Sequence, residues 1–206
     1  MTDNAFPQIE LGSIATLRQG VSFRSGLRPS VDGVFRVVQA RDLEDNGSVS
    51  ESNVLRTDAA VAKTQMLENG DILFQPRGLS YSAAVITWVK SPTVAAAPLY
   101  VITVRRNMGL RSDFLVSFIN NATTRARLRS EATGTHVLQL SRGTIAHFQI
   151  PIPPVNLQKA IVDAEMLSRR ELLLVTELHT SRMLYLHEAS LGNVLMREPL
   201  DFEDKQ

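Results

Sequence analysis

Arginine, glutamine and serine recur in four turn-rich stretches of this 206-residue chain, side chains able to reach the donors and acceptors on the edges of base pairs and equally able to hold their own turns. The stretches are 22–28, 39–43, 75–81 and 134–142. Arg24 and Arg28 stand in the first, Gln39 and Arg41 in the second, and Gln75, Arg77, Ser80 and Tyr81 in the third; His136, Gln139 and Arg142 stand in the fourth. A guanidinium fork matches O6 and N7 of guanine, and a carboxamide matches N6 and N7 of adenine. Arg77 or Arg41 therefore suits guanine, and Gln39, Gln75 and Gln139 suit adenine. Glycines in these stretches let backbone approach a ligand closely. Local roles compete at single positions, since Gln75 can cap a strand edge and Arg41 can pair with Asp42 or Glu44.

The net charge of +1 conceals an uneven distribution. Residues 1–153 hold 16 Lys and Arg against 12 Asp and Glu, whereas residues 154–206 hold 6 against 9. Fourteen of the 16 cations in the first part are arginine, whose rigid fork of donors suits phosphate and guanine better than a lysine ammonium does. A GC-rich genome enriches arginine as well.

Groups for catalysis are not offered. The chain has no cysteine, which excludes disulfides and thiolate chemistry and fits a reducing compartment. It has neither a glycine-rich phosphate loop nor a dinucleotide fingerprint. The four histidines (136, 147, 179 and 187) lack partners at metal-ligand spacing, and Asp42, Glu44 and Asp45 sit in a segment whose turn accounts for them. Pro153 and Pro154, between Ile152 and Val155, do not fit the Asn/Asp-Pro-Pro-aromatic motif by which amino-methyltransferases hold a flipped base. The expectation is a protein that is not an enzyme and carries no cofactor and no metal. No signal-peptide pattern and no long apolar run appear, so a cytoplasmic protein without a membrane span is expected.

The elements that must hold the four stretches read as short strands followed by a helix. Ile9–Leu17 is a short apolar opening, Phe35–Ala40 is rich in β-formers, Asp71–Gln75 leaves the turn Asn69-Gly70, and Ala83–Val89 and Leu99–Val104 follow. From Ser112, a candidate N-cap, Phe114, Leu115, Phe118, Ile119 and Ala122 fall on one helical face, which predicts a helix over 113–129. It ends in Arg125, Arg127 and Arg129, suited to the negative helix terminus or, less simply, to phosphate. Prolines at 151, 153 and 154 then impose an extended connector. Two domains are expected, 1–153 and 154–206.

Beyond the connector, Leu157, Ala160, Ala164, Leu167, Glu171, Leu174, Leu178, Ser181 and Tyr185 step by alternate threes and fours, the seam of a coiled coil. A helix over 156–190 is expected, ended by Gly192 and Pro199 before an acidic tail. Leu172, Leu173 and Val175 widen its apolar surface beyond one seam. A solitary helix of this kind needs a partner, either a second copy of the chain or the first domain folding back on it.

Several segments, in this order, resemble the specificity subunits of type I restriction-modification enzymes. Leu11–Gly26 is similar to the opening of a target recognition domain and is followed by Phe35–Leu43. Leu67–Gly78, with Gly70-Asp71-Ile72-Leu73 leading to Arg77-Gly78, resembles a characteristic strand of the family. Gly134–Ser141 and Ile150–Val162 resemble its transition into a conserved helix. Two departures stand out: one recognition domain and one helix where the usual member has two of each, and Val155-Asn156-Leu157-Gln158 where the family typically has Leu-Glu-Glu-Gln. The resemblance implies a mixed α/β recognition domain followed by a long C-terminal coiled-coil helix. It also implies double-stranded DNA as ligand, a DNA adenine methyltransferase subunit as partner, and a restriction ATPase subunit as a further one. The rival expectation is a coiled-coil scaffold whose domain binds protein. Steep salt dependence of DNA binding separates the two.

Overall fold

The computed structural model describes residues 6–195 apart from 24–25, 53, 79 and 135–137, with side chains described as far as residue 190. The order of its main elements is β1 (Gln8–Glu10), α1 (Leu11–Ile14), β2 (Ala15–Gln19), β3 (Phe35–Val38), β4 (Leu55–Thr57), β5 (Ile72–Phe74), β6 (Ala83–Val85), β7 (Thr93–Ala95) and β8 (Tyr100–Val104). Then follow α2 (Ser112–Asn120), α3 (Ala122–Glu131), α4 (Arg142–His147), β9 (Gln149–Pro151) and α5 (Val155–Leu195). The chain forms two compact units, 1–162 and 163–206.

In the first unit, strands β2, β8, β5 and β6 lie side by side in that order, all antiparallel. A second sheet has the order β4-β3-β7, with β3 and β7 parallel. Apolar runs in the strands have a cause here, because both faces of each sheet are covered. Ile72, Phe74, Tyr100 and Ile102 face a core shared with Phe114, Leu115, Ile119, Leu128 and Ile145 of the helices. Leu73 and Val101 face the other way and pack with Val38 and Ala95 of the second sheet. The remaining face of that sheet presents Val37 and Val94 to Val21, Phe23 and Leu27. Helices, sheet, sheet and loop are thus stacked in layers.

The apolar opening is not one strand. Ile9 pairs with Ile150 in the two-stranded β1–β9 sheet, α1 makes a single turn, and Ala15 begins β2 against Val104. The expected helix over 113–129 is broken at Asn121, whose extended backbone ends α2 while its side chain accepts a hydrogen bond from Thr123 N at 2.9 Å and starts α3. Asparagine competes with helix through such bonds, and that is the physical reason for the break. Ser112 is the first helical residue and not the cap; Arg111 precedes it in extended conformation.

The first unit runs past the proline connector, beyond the expected boundary at 153. Ile161 and Val162 pack against the helical core, and Gln158 is fully buried. Its Oε1 accepts from Arg111 N at 2.9 Å, while Nε2 donates to the carbonyls of Pro153 at 2.7 Å and Gly109 at 2.5 Å. The bonds with Arg111 and Gly109 tie the first turns of α5 to the loop before α2, and the bond with Pro153 holds the proline connector. The helix continues through the second unit, and from Asp163 to residue 190 its side chains are almost all exposed.

Candidate functional site

Two of the four stretches meet. Residues 75–80 follow β5 and residues 138–142 precede and open α4, and backbone bonds join them: Arg77 and Gln139 form a β-bridge, and Leu140 N donates to Pro76 O at 2.9 Å. On its other side Gln139 is bridged to Thr133 by bonds of 3.0 and 2.9 Å. The Tyr100 hydroxyl holds the Leu140 carbonyl from below at 3.3 Å. The result is a short ledge of irregular backbone fixed on the four-stranded sheet. Gly78 has φ of +95°, a conformation glycine adopts without strain, which lets the chain turn immediately after Arg77.

On this ledge the exposed Arg77 donates from Nε to Gln139 Oε1 at 2.7 Å. No carboxylate pairs with Arg77 among the described residues. Gln75 lies beneath, half-buried: Nε2 donates to the Arg77 carbonyl at 3.0 Å and Oε1 accepts from Ser82 Oγ at 3.5 Å. Both ends of its amide are thus engaged locally, in the strand-edge role open to it from the sequence. Arg142 is exposed as the first residue of α4, whose cap is Ser141 accepting from Thr144 N at 3.0 Å. Ser80 is half-buried beside the ledge.

Tyr81 is a correction. Expected among the contacting residues, it is wholly buried in the core with φ of +43°, and its hydroxyl has no hydrogen-bond partner. An aromatic ring at this place gains more by burial than by exposure, and no part of it reaches a surface. Arg24 and His136 lie outside the described residues.

The other two stretches flank the three-stranded sheet, and among the described residues no bond joins them to the ledge. Arg28 is exposed. Gln39 and Asp42 form a reciprocal cap around the single turn 40–42: Gln39 N donates to Asp42 Oδ2 at 2.8 Å, and the Gln39 side chain accepts from Asp42 N. Gln39 Nε2 and Asp42 Oδ1 are buried without hydrogen-bond partners. Burial pushes the Asp42 carboxyl above its ordinary value, against the bond from Gln39 and the charge of Arg41. Arg41 leaves most of its side chain in solvent, with Nε 3.8 Å from Asp42 Oδ1. The pairing of Arg41 with Asp42 open from the sequence is the one observed.

Sequence reasoning missed Gln158 as an anchor, although Pro153-Pro154 before it marks where a helix must start. It also left the arginines of α3 undivided. Arg127 stacks over the Phe148 ring at 5.1 Å, and Arg125 donates to Asn120 Oδ1 at 3.0 Å, so both have structural work. Among the described residues no cluster of three metal-ligating side chains occurs, and no helix is long and apolar enough to cross a membrane.

The seam residues are placed on α5. Leu157, Ala160 and Ala164 are exposed, and Leu167, Leu174, Leu178 and Tyr185 are 71, 49, 60 and 71% exposed. Beside them Leu172, Leu173, Val175, Met183, Leu184 and Leu186 are exposed as well.

Solved structures share this fold, three of them as follows. The HsdS subunit from Thermoanaerobacter tengcongensis superposes with a TM-score of 0.59 at 16% identity, over 84% of this chain and 39% of the other. The type I restriction-modification S subunit from M. genitalium gives 0.55 at 16%, over 89% and 44%. A chain from a structure concerning assembly and conformational transition of the type I R-M system gives 0.60 at 15%, over 94% and 44%. The chain thus spans less than half the length of these relatives. No curated protein sequence matches it. The sequence model of one family, described as type I restriction modification DNA specificity domain, matches residues 6–168, well over half of the chain. This protein, a mixed α+β domain followed by a long helix, belongs to the family of type I restriction-modification DNA specificity domains.

Proposed function

We propose that this chain is a non-catalytic, cytoplasmic subunit that reads a DNA sequence and directs a partner DNA adenine methyltransferase subunit, and in restriction a restriction ATPase subunit, to it. The observation that carries the reading is the family match across residues 6–168. The ledge bearing Arg77 and Gln139 supports it, because a fixed, unneutralised guanidinium beside a carboxamide is suited to base edges or phosphate. Arg28, Arg41 and Arg142, all exposed, are further candidates for contact with DNA.

The chain carries one recognition domain and acts as a homodimer through α5. The exposed seam from Leu157 to Tyr185 supports this, since a water-exposed helix this apolar is stable when its stripe is covered. A two-fold pair of identical readers requires two copies of one half-site, inverted about a spacer. About 30 residues of helix at 1.5 Å rise span on the order of 45 Å, which sets the half-sites roughly one turn of duplex or somewhat more apart. Mapping methylation by the complex assembled with this chain as its sole specificity subunit tests the reading. An inverted repeat is expected, and an asymmetric target would refute the symmetric dimer while leaving DNA reading intact.

A further inference from the structure

We infer that Arg77 reads a guanine end-on, with Gln139 as the positioning residue that aims it. The inference rests on the DNA-reading function proposed above and names a determinant of its specificity.

Arg18, Arg36, Arg41 and Arg111 of the first unit have carboxylates within 4 Å, in Asp71, Glu51, Asp42 and Asp113 respectively. Arg77 is held instead by a neutral amide, 62 residues away in sequence, so it is fixed without being neutralised. An exposed arginine ordinarily samples many rotamers, and ordering it costs side-chain entropy at binding. Here the backbone on both sides of the contact is already bonded, by Leu140 N to Pro76 O, by the Gln139–Thr133 pair and by Gln75 Nε2 to the Arg77 carbonyl. The fork is therefore preorganised.

The bond also selects which edge of the guanidinium is offered. With Nε engaged by Gln139 Oε1, the side-on pair of donors is used, and Nη1 and Nη2 remain as a parallel pair with no bond to any described residue. Two parallel donors fit two adjacent acceptors, O6 and N7 of guanine. Adenine puts a donor, N6, where the second acceptor is needed, and that clash supplies the discrimination. A phosphate would accept the same fork, but it would carry no sequence information.

The test is selection from a randomised duplex pool by the full chain at low salt, followed by affinity measurement on the selected site and its single-base variants. The parent chain is expected to select a site containing a guanine whose replacement by adenine, or by 7-deazaguanine, weakens binding. The discrimination expected of one bidentate pair is roughly five- to 150-fold. Arg77→Ala should abolish that preference and spare the preferences elsewhere in the site. Arg77→Lys should lower it while keeping the salt dependence, because lysine supplies the charge without the rigid fork. Gln139→Leu should lower the preference several-fold at unchanged melting temperature, and Gln139→Glu, which keeps an acceptor in place but neutralises the guanidinium, should keep the relative preference while weakening binding to every sequence. Equal weakening on every sequence in Arg77→Ala would make Arg77 a phosphate contact and overturn the inference alone, as would an unchanged preference in Arg77→Lys. A parent chain that selects no sequence would overturn the DNA-reading function and this inference with it.

Discussion

Asn120 holds Ala83 by both of its backbone groups: Ala83 N donates to Asn120 Oδ1 at 2.9 Å, and Asn120 Nδ2 donates to the Ala83 carbonyl at 2.8 Å. Ala83 begins β6, the edge strand of the four-stranded sheet, so the amide stands where the backbone of a further strand would pair. Gly47 supplies another acceptor to this edge, from its carbonyl to Val85 N at 2.9 Å. The two side-chain bonds blunt a strand edge that would otherwise be a template for pairing with other chains. Asn120→Ala is expected to cost about 2 kcal/mol, since it strands the buried backbone groups of Ala83. A fall in melting temperature of roughly 4–8 °C, with faster aggregation on heating, would register it. A variant as stable as the parent would show that water replaces the amide at no cost.

Gln158 has the larger effect in prospect, because it is fully buried and serves three partners at once. Gln158→Leu keeps the volume and leaves Arg111 N and two carbonyls unsatisfied, an expected loss of about 3 kcal/mol or more. Gln158→Glu should be less stable at neutral pH than at pH 5. A carboxylate cannot donate to the carbonyls of Gly109 and Pro153, whereas its protonated form can donate to one. Denaturant unfolding of both variants at two pH values measures this, and equal stability of Gln158→Glu at both would contradict the bonding described.

Two carboxyls should give opposite pH signatures. Burial alone would raise Asp113, but the bonds it accepts from Arg111 at 2.9 and 2.5 Å and from Phe114 N at 2.8 Å outweigh burial and hold it below 3.8. Its folded state favours the ionised form, so its contribution is present above pH 3.8 and is lost as pH falls through the lowered value. Asp42 is raised above 3.8 by burial, so its folded state favours the proton and stability falls as pH rises from 3.8 through the raised value. Asp113→Asn should therefore lose stability at pH 7, and the loss should shrink as pH falls below 3.8 towards the lowered value. Asp42→Asn, which can still accept from Gln39 N, should gain relative to the parent as pH rises across the same range. Urea midpoints between pH 3 and 7 separate the two curves.

On α5, Leu167→Asp or Leu174→Asp places a charge in the exposed seam. Either is expected to convert a dimer to monomer or aggregate without altering the first unit, since both positions lie beyond residue 162. Light scattering at micromolar concentration reads the result. A monomer for the parent chain would remove the homodimer from the proposal.

Elements that advertise themselves by period or punctuation were legible in the sequence. Asn69-Gly70 before β5, the apolar run of β8 and the proline connector before α5 all stand close to where the residues place them. What escaped depends on contacts remote in sequence. Asn121 looks like a tolerable helix residue until its side chain is seen to cap α3, and nothing near Tyr81 says that its ring turns inward. The site was legible by halves. Arg77 and Gln139 each belong to a stretch of suitable composition, but their contact comes from bridges between strand end and loop, and pairing of that kind leaves no periodic trace. Gln75 shows the converse, being of the right type for base edges yet held in local bonds beside its own turn.

The antiparallel clasp of β1 with β9 sets Gln8 beside Pro151 and Glu10 beside Gln149. Everything from Leu11 to Phe148, the ledge included, is therefore one closed excursion that leaves and returns at neighbouring points, immediately before the anchored start of α5. A different excursion with the same two ends would meet the same clasp, and would meet the start of α5 unchanged where it keeps a donor and an acceptor for Gln158, as Arg111 N and the Gly109 carbonyl do here. Under the proposed DNA-reading function, recombination at the clasp would exchange one sequence preference for another in a single event while leaving the exposed length of α5 beyond residue 162 untouched.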